Sequence, residues 1–212
     1  SGKTDKMMFT IIFPVLNERL RLESGVTRTV EYLRKIAFED YEIIIVDTGS
    51  SDATKEIASR YTDQVYDFAW QDDFAAARNF SFSKATKDYI YVPDADEVLD
   101  EENREAFRQL KQVLLPEVEI VQMLYHTVTE YNTVLNAEKE YRPKLFKRER
   151  SFTWIDPVHE TVRLDPVVFD SDIVITHMPQ NLHSKRDFSI SSSTDSLNRL
   201  FLCRFSFNRS RT

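Results

Sequence analysis

The run Tyr41-Glu42-Ile43-Ile44-Ile45-Val46-Asp47-Thr48-Gly49-Ser50-Ser51-Asp52 joins an isoleucine-rich segment to a cluster of turn residues. A short, continuously apolar run bounded in this way predicts a strand buried on both faces, from Tyr41 to Val46. Gly49 permits a left-handed turn. Ser51 or Asp52 then caps a helix expected to run through Arg60. Towards the N-terminus, Phe9-Thr10-Ile11-Ile12-Phe13 is another β-rich run, stopped by Pro14. Between the two, Leu22, Val26, Val30, Leu33 and Ile36 recur at spacings of three and four, which gives a one-sided helix. Towards the C-terminus, Gln64 to Phe68 reads as a third strand. A helix starts at Asp72 or Asp73 and runs towards Ala85, and Asp88 to Val92 is a fourth strand.

Repeated β-α-β units with continuously apolar strands imply an α/β fold, a mostly parallel sheet covered by helices on both faces. Ligands of such sheets bind at the carboxyl ends of the strands. Asp47 and the cluster Asp94-Ala95-Asp96-Glu97 both fall there. The second half differs. After a helix near Glu102 to Val113 come strand-like runs at Ile120 to Val128, Tyr141 to Lys147, Thr161 to Phe169 and Ile173 to Thr176. With few helices between them, these are expected to be antiparallel additions to the same sheet. Residues 1–180 thus form one domain, opening with a flexible leader, Ser1 to Lys6. Residues 181–212, serine-rich and then dominated by Arg, Ser, Phe and Asn, are expected to be a weakly ordered or truncated tail.

Composition narrows the function. A net charge of −7 disfavours a nucleic-acid surface, which needs a basic stripe. An acidic protein that binds a diphosphate needs a cation between the two sets of negative charge. Three glycines argue against a glycine-rich phosphate loop. Cys203, the lone cysteine, allows no internal disulfide and no thiolate zinc site, and fits a reducing, cytoplasmic home. The longest apolar run, Met7 to Leu16, is far short of the ~20 residues of a membrane span. It also lacks a cleavage signature, so neither a transmembrane segment nor a signal peptide is expected.

Several groups carry candidate chemistry. The alternation Asp94-Ala95-Asp96 sets two carboxylates near one point at the end of the fourth strand. Such hard oxygen ligands suit Mg2+ or Mn2+ together with substrate phosphates, although so short a pattern also occurs as a plain acidic helix cap. Asp47 can accept hydrogen bonds from a base or ribose, or serve only a strand-to-helix turn. Pro14-Val15-Leu16-Asn17-Glu18 leaves the first strand beside the second, where it offers polar groups to a nucleotide or forms a simple polar loop. Trp154-Ile155-Asp156-Pro157-Val158-His159-Glu160 gathers an aromatic ring, an imidazole and carboxylates. A sugar's apolar face packs on Trp, and Glu160, Asp156 or His159 can deprotonate an acceptor. A turn with a hydrogen-bonded His reads from the same residues. His177 can complete a metal site as neutral imidazole or simply be hydrogen-bonded.

Taken in order, Phe13-Pro14-Val15-Leu16-Asn17-Glu18, then Ile45 to Thr54, then Ala77-Arg78-Asn79, then Pro93 to Glu97 resemble the family-2 glycosyltransferases of the GT-A fold, over roughly Phe9 to Pro179. Asp94 to Glu97 with Pro157-Val158-His159-Glu160 look most like the branch of lipopolysaccharide-core glucosyltransferases, to which bacterial peptide S-glycosyltransferases are similar. The resemblance implies an inverting transfer of sugar from a nucleotide-diphosphate donor, with a bias to uridine, onto a saccharide or peptide acceptor. It implies that Pro14, Asn17, Glu18 and Asp47 line the nucleoside pocket. Arg78 would face the donor with support from Asn79. Asp94 would contact ribose or sugar, and Asp96 the metal, Mn2+ or Mg2+. His177 would be a second metal ligand or a phosphate contact. Glu160 would be the base, with His159 beside it and Trp154 as a wall for acceptor or sugar. The tail departs from that branch, which continues with an Asn-rich amphipathic helix and further modules where this chain has Lys185-Arg186-Asp187 and serines. Exposed aromatics can support a homodimer.

Two other classes compete. A nucleotidyltransferase that makes sugar nucleotides uses a similar sheet and metal, but wants a glycine-rich basic loop where this chain has Asn17-Glu18-Arg19. A non-catalytic module would bind a nucleotide sugar without transferring it, and has no need of the acidic cluster or of His159-Glu160.

Overall fold

The structure, a computed structural model, describes residues 7–20, 22–35, 41–93, 97–127, 140–155, 161–162 and 165–177. The first half alternates β1 (Phe9–Val15), α1 (Leu22–Lys35), β2 (Tyr41–Asp47), α2 (Thr54–Ala58), β3 (Val65–Asp67), α3 (Phe74–Lys84) and β4 (Tyr89–Tyr91). Then follow β5 (Glu97–Val98), α4 (Glu101–Val113), β6 (Ile120–Thr127), β7 (Glu140–Lys147), β8 (Trp154–Ile155), β9 (Thr161–Val162) and β10 (Val168–His177).

One eight-stranded sheet has the order β3-β2-β1-β4-β7-β6-β10-β5, and β8 with β9 forms a separate ribbon. Strands β3, β2, β1 and β4 are mutually parallel. Strand β7 runs antiparallel to β4 and β6, β10 is parallel to β6, and β5 is antiparallel to β10. This is the expected mostly parallel α/β sheet; β7 and β5 are antiparallel additions, whereas β10, expected to be another, pairs parallel with β6.

Alternation along the strands sorts the core into two layers. Phe9, Ile11, Phe13 and Val15 of β1 face Leu22, Val26 and Leu33 of α1, Ile57 of α2 and Leu110 of α4. Ile12, Ile44 and Val46 face the other way, onto Ala75 and Ala77 of α3 and onto Trp154. Ile44 and Ile45, on opposite faces of β2, are both 0 % exposed, as a strand covered on two sides requires. Each such side chain contributes about 1.5–3 kcal/mol relative to exposure. No described helix is long and apolar enough to cross a membrane.

Three local expectations are corrected. Pro14 does not stop β1, because it pairs in register with Val46. Val15 turns its carbonyl to β2, accepting from Thr48 N at 3.0 Å, so the polar groups of Pro14 face the β4 side. There β4 pairs only with Phe9 to Ile11, and no N–H is needed at residue 14. The helix expected to reach Arg60 ends at Ala58, and neither Ser51 nor Asp52 is its cap: Ala53 holds the N-cap position of this five-residue helix, while Asp52 accepts from Thr54 N at 3.0 Å from one position further out. The expected strand Thr161 to Phe169 is split. Thr161–Val162 belongs to the ribbon, whereas Val168–Phe169 begins a ten-residue strand that absorbs Ile173 to Thr176. The leader Ser1 to Lys6 and the tail 181–212 lie outside the described residues.

Candidate functional site

The register of β1 with β2 brings Val15 opposite Asp47, so the loops that follow both strands leave the same edge together. They are laced to each other. Asn17, in the left-handed region at φ 53°, donates its N–H to Ser50 Oγ at 2.8 Å. Its Oδ1 accepts from Ser51 N at 2.9 Å. Glu18 N donates to Thr54 Oγ1 at 2.8 Å. Asn tolerates this backbone conformation better than other non-glycine residues, and Gly49, at φ 112°, supplies the turn that no β-carbon favours.

Asp47 is 2 % exposed. Its Oδ1 accepts from Gly49 N at 2.9 Å and Ser50 N at 2.8 Å, which folds the turn around the carboxylate. Its Oδ2 is buried and receives no hydrogen bond. A buried acceptor left in that state costs about 1–3 kcal/mol, a penalty relieved when a donor arrives. Asp47, Asn17 and Glu18 therefore form one preorganised unit, with Pro14 in the strand beneath it.

On the opposite face of the sheet, Asp73 caps α3 by accepting from Ala76 N at 2.9 Å. The next turn carries Arg78 and Asn79. The Arg78 guanidinium lies over the Trp154 ring, 4.9 Å from its centroid. Asn79 binds the Trp154 backbone through both its amide atoms, at 2.9 and 2.8 Å. Trp154 itself corrects an expectation. It is 2 % exposed and meets Phe82 and Phe146 edge-on at 5.6 and 5.4 Å. A ring so enclosed offers no wall to a sugar; it is core, and the platform on which Arg78 rests.

The acidic cluster leaves β4. Asp94 and Asp96 lie outside the described residues, as do Asp156, His159 and Glu160. Glu97, the last member of the cluster, is described and is internal. Its carboxylate pairs with the Lys144 ammonium, the two side chains being 2 % and 8 % exposed. Lys144 is a residue that the sequence reading missed. The available signal was a pair of cations, Arg142 and Lys144, inside an otherwise core-forming strand. The backbone of Glu97 pairs with that of His177 across β5 and β10. Among the described residues no group of three or more His, Cys, Asp and Glu forms a metal site.

This edge of the sheet thus presents a strand-end carboxylate and two interlocked polar loops. The sequence model for Glycosyl transferase family 2 matches residues 10–162. The chain belongs to glycosyl transferase family 2. The family-2 match takes in every loop just described except the strand that carries His177.

Individual relatives match over part of the chain. A TPR repeat-containing protein of Synechococcus elongatus is 37 % identical over 123 residues, which are 57 % of this chain and 28 % of that protein. The SPbeta prophage-derived glycosyltransferase SunS of Bacillus subtilis is 30 % identical over 114 residues, 53 % of this chain and 25 % of that one. The family-2 chain therefore spans little more than a quarter of the length of these relatives. Among solved structures, the mannosyltransferase PcManGT from Pyrobaculum calidifontis, in complex with GDP-Man and Mn2+, superposes with a TM-score of 0.61 at 19 % identity, covering 86 % of this chain and 61 % of that one. Glucosyl-3-phosphoglycerate synthase from Mycobacterium tuberculosis, in complex with Mg2+ and UDP, gives 0.56 at 15 % identity, covering 83 % and 73 %. At those identities the likeness is one of fold, and the fold is GT-A.

Proposed function

We propose that this domain transfers a sugar from a nucleotide-diphosphate donor, a uridine diphosphate sugar by preference, to a saccharide or peptide acceptor in the cytoplasm, with inversion at the anomeric carbon and with Mn2+ or Mg2+. The observation that carries the reading is the pairing of His177 with Glu97. Asp96 immediately precedes Glu97 in the chain, so the sheet register draws together the neighbourhoods of two candidate ligands that stand 81 positions apart in sequence. Oxygen from Asp96 and imidazole from His177 are a donor set that suits these ions.

The residues divide the work as follows. Asn17, Glu18 and Asp47 hold the nucleoside, with the open Oδ2 of Asp47 accepting from base or ribose. Arg78, steadied on Trp154, faces the diphosphate. Asp94 contacts ribose or sugar. Glu160, with His159 beside it, takes the proton of the acceptor nucleophile, which attacks opposite the departing diphosphate. A divalent ion, when bound, supplies positive charge where the leaving oxygens become more negative. Family membership favours this reading over nucleotidyl transfer.

The test is a thermal-shift panel of UDP and GDP with and without Mn2+, since a ligand that binds the folded state must stabilise it. UDP with Mn2+ should raise the melting temperature more than either alone, and Asp96→Ala should abolish the Mn2+-dependent part. Absence of any response to either nucleotide sinks the proposal.

A further inference from the structure

Lys144 touches the chain on both sides of the acidic segment 94–96. Before the segment, Val92 N donates to the Lys144 carbonyl oxygen at 3.2 Å. After it, the Lys144 ammonium holds the Glu97 carboxylate, with both side chains nearly closed to solvent. Only residues 93–96 separate these two attachment points.

A bulge makes the double attachment possible. Strand β7 pairs Leu145 with Val121 and then Pro143 with Gln122, leaving Lys144 as the extra residue without an opposite number on β6. Bulges re-aim a side chain out of the regular alternation. Here the result is a cation turned into the interior, on the face where Tyr125 lies, its ring centroid 5.9 Å from Nζ. Burying an ammonium and a carboxylate together is costly, and replacing such a pair by apolar side chains is often neutral or stabilising. Its presence therefore points to a requirement for geometry.

We infer that Lys144 is a positioning residue, which sets the spacing and orientation of the segment bearing Asp94 and Asp96 by holding Val92 on one side and Glu97 on the other. Glu97 in turn pairs by backbone with His177, so the same anchor sets both candidate ligand segments relative to each other. The inference rests on the metal assignment proposed above. Outer partners of this kind typically change metal affinity by about 10–100-fold.

The experiment is a titration of the full chain with Mn2+, free ion being read by electron paramagnetic resonance, at saturating UDP. It compares wild type, Lys144→Met, Lys144→Arg and Glu97→Gln, each with its melting temperature. Lys144→Met should weaken Mn2+ binding by about tenfold or more. Lys144→Arg, which keeps the charge and the reach, should stay close to wild type. UDP affinity without metal should not change in any variant, because the β1 and β2 loops are untouched. If Lys144→Met melts lower yet binds Mn2+ as wild type does, the residue is merely structural and the inference fails. Should Lys144→Met not fold, Glu97→Gln carries the same comparison, and unchanged Mn2+ affinity there has the same consequence. A wild type that binds no Mn2+ removes the metal assignment itself, an outcome separate from any ratio between variants.

Discussion

Asn79 and Trp154 are locked together across 75 positions of sequence: Asn79 Nδ2 donates to the Trp154 carbonyl at 2.9 Å, and Trp154 N donates to Asn79 Oδ1 at 2.8 Å. The amide side chain thereby behaves as one more backbone partner for β8, a two-residue strand that pairs with β9. Residues 156–160, with the candidate base, follow directly. Asn79→Ala deletes both bonds to the Trp154 backbone, at a cost of about 1–3 kcal/mol. We expect lower stability in urea, faster hydrogen exchange at the Trp154 amide, and a fall in kcat larger than any rise in donor KM.

Trp154→Ala tests the correction made to this residue. A buried aromatic truncated to Ala costs about 3–5 kcal/mol, and that loss should appear in urea unfolding with no ligand present. A sugar-wall role would instead leave stability near wild type and raise a substrate KM. Trp154→Phe, which keeps a ring beneath Arg78, should restore most of the stability.

Asp47→Asn separates folding from binding. The Asn carbonyl can still accept from Gly49 N and Ser50 N, so the turn should survive and the melting temperature should stay close to wild type. The position of Oδ2 becomes an amide donor, which matches nothing offered by a base or ribose donor. Loss of a charge-assisted hydrogen bond is worth about 1.5–3 kcal/mol, so UDP affinity measured by calorimetry should fall by roughly tenfold or more.

Glu42 provides a pH signature. It is 8 % exposed and accepts from Thr10 Oγ1 at 2.5 Å, Thr86 N at 2.7 Å and Thr86 Oγ1 at 2.8 Å. Burial pushes its carboxyl up, but these hydrogen bonds outweigh burial and hold it below the ordinary value. A carboxyl depressed in the folded state contributes stability above its unfolded pKa, about 4.3. That contribution is lost as pH falls through the folded value. Glu42→Gln should therefore destabilise at pH 7, and its deficit relative to wild type should shrink as both are titrated below about pH 4. A deficit independent of pH would show that packing, and not charge, is at stake.

Much of this architecture was written locally. Ile43, Ile44 and Ile45 announce a strand covered on both faces because only such a strand needs no polar side, and Leu22, Val26 and Leu33 announce a helix because their spacing makes one apolar stripe. Asp47 and Gly49 were legible as strand-end and turn residues for the same reason: their chemistry acts on backbone within a few positions. Trp154 was misread because a ring is equally at home in a core and beneath a sugar, and only the surrounding Phe82, Phe146 and Arg78 distinguish the two.

The sequence alone determined the β-α-β rhythm of the first half and the strand-end placement of Asp47, since periodicity and turn chemistry are properties of neighbouring residues. Tertiary structure decided what depends on which strands become neighbours. It let Pro14 continue β1 where β4 has already ended, merged Val168 to His177 into one strand, bulged Lys144 inward onto Glu97, and set His177 beside Glu97. Those pairings join segments tens of residues apart, and their energies come from sheet register and shared burial, which no local window of sequence contains.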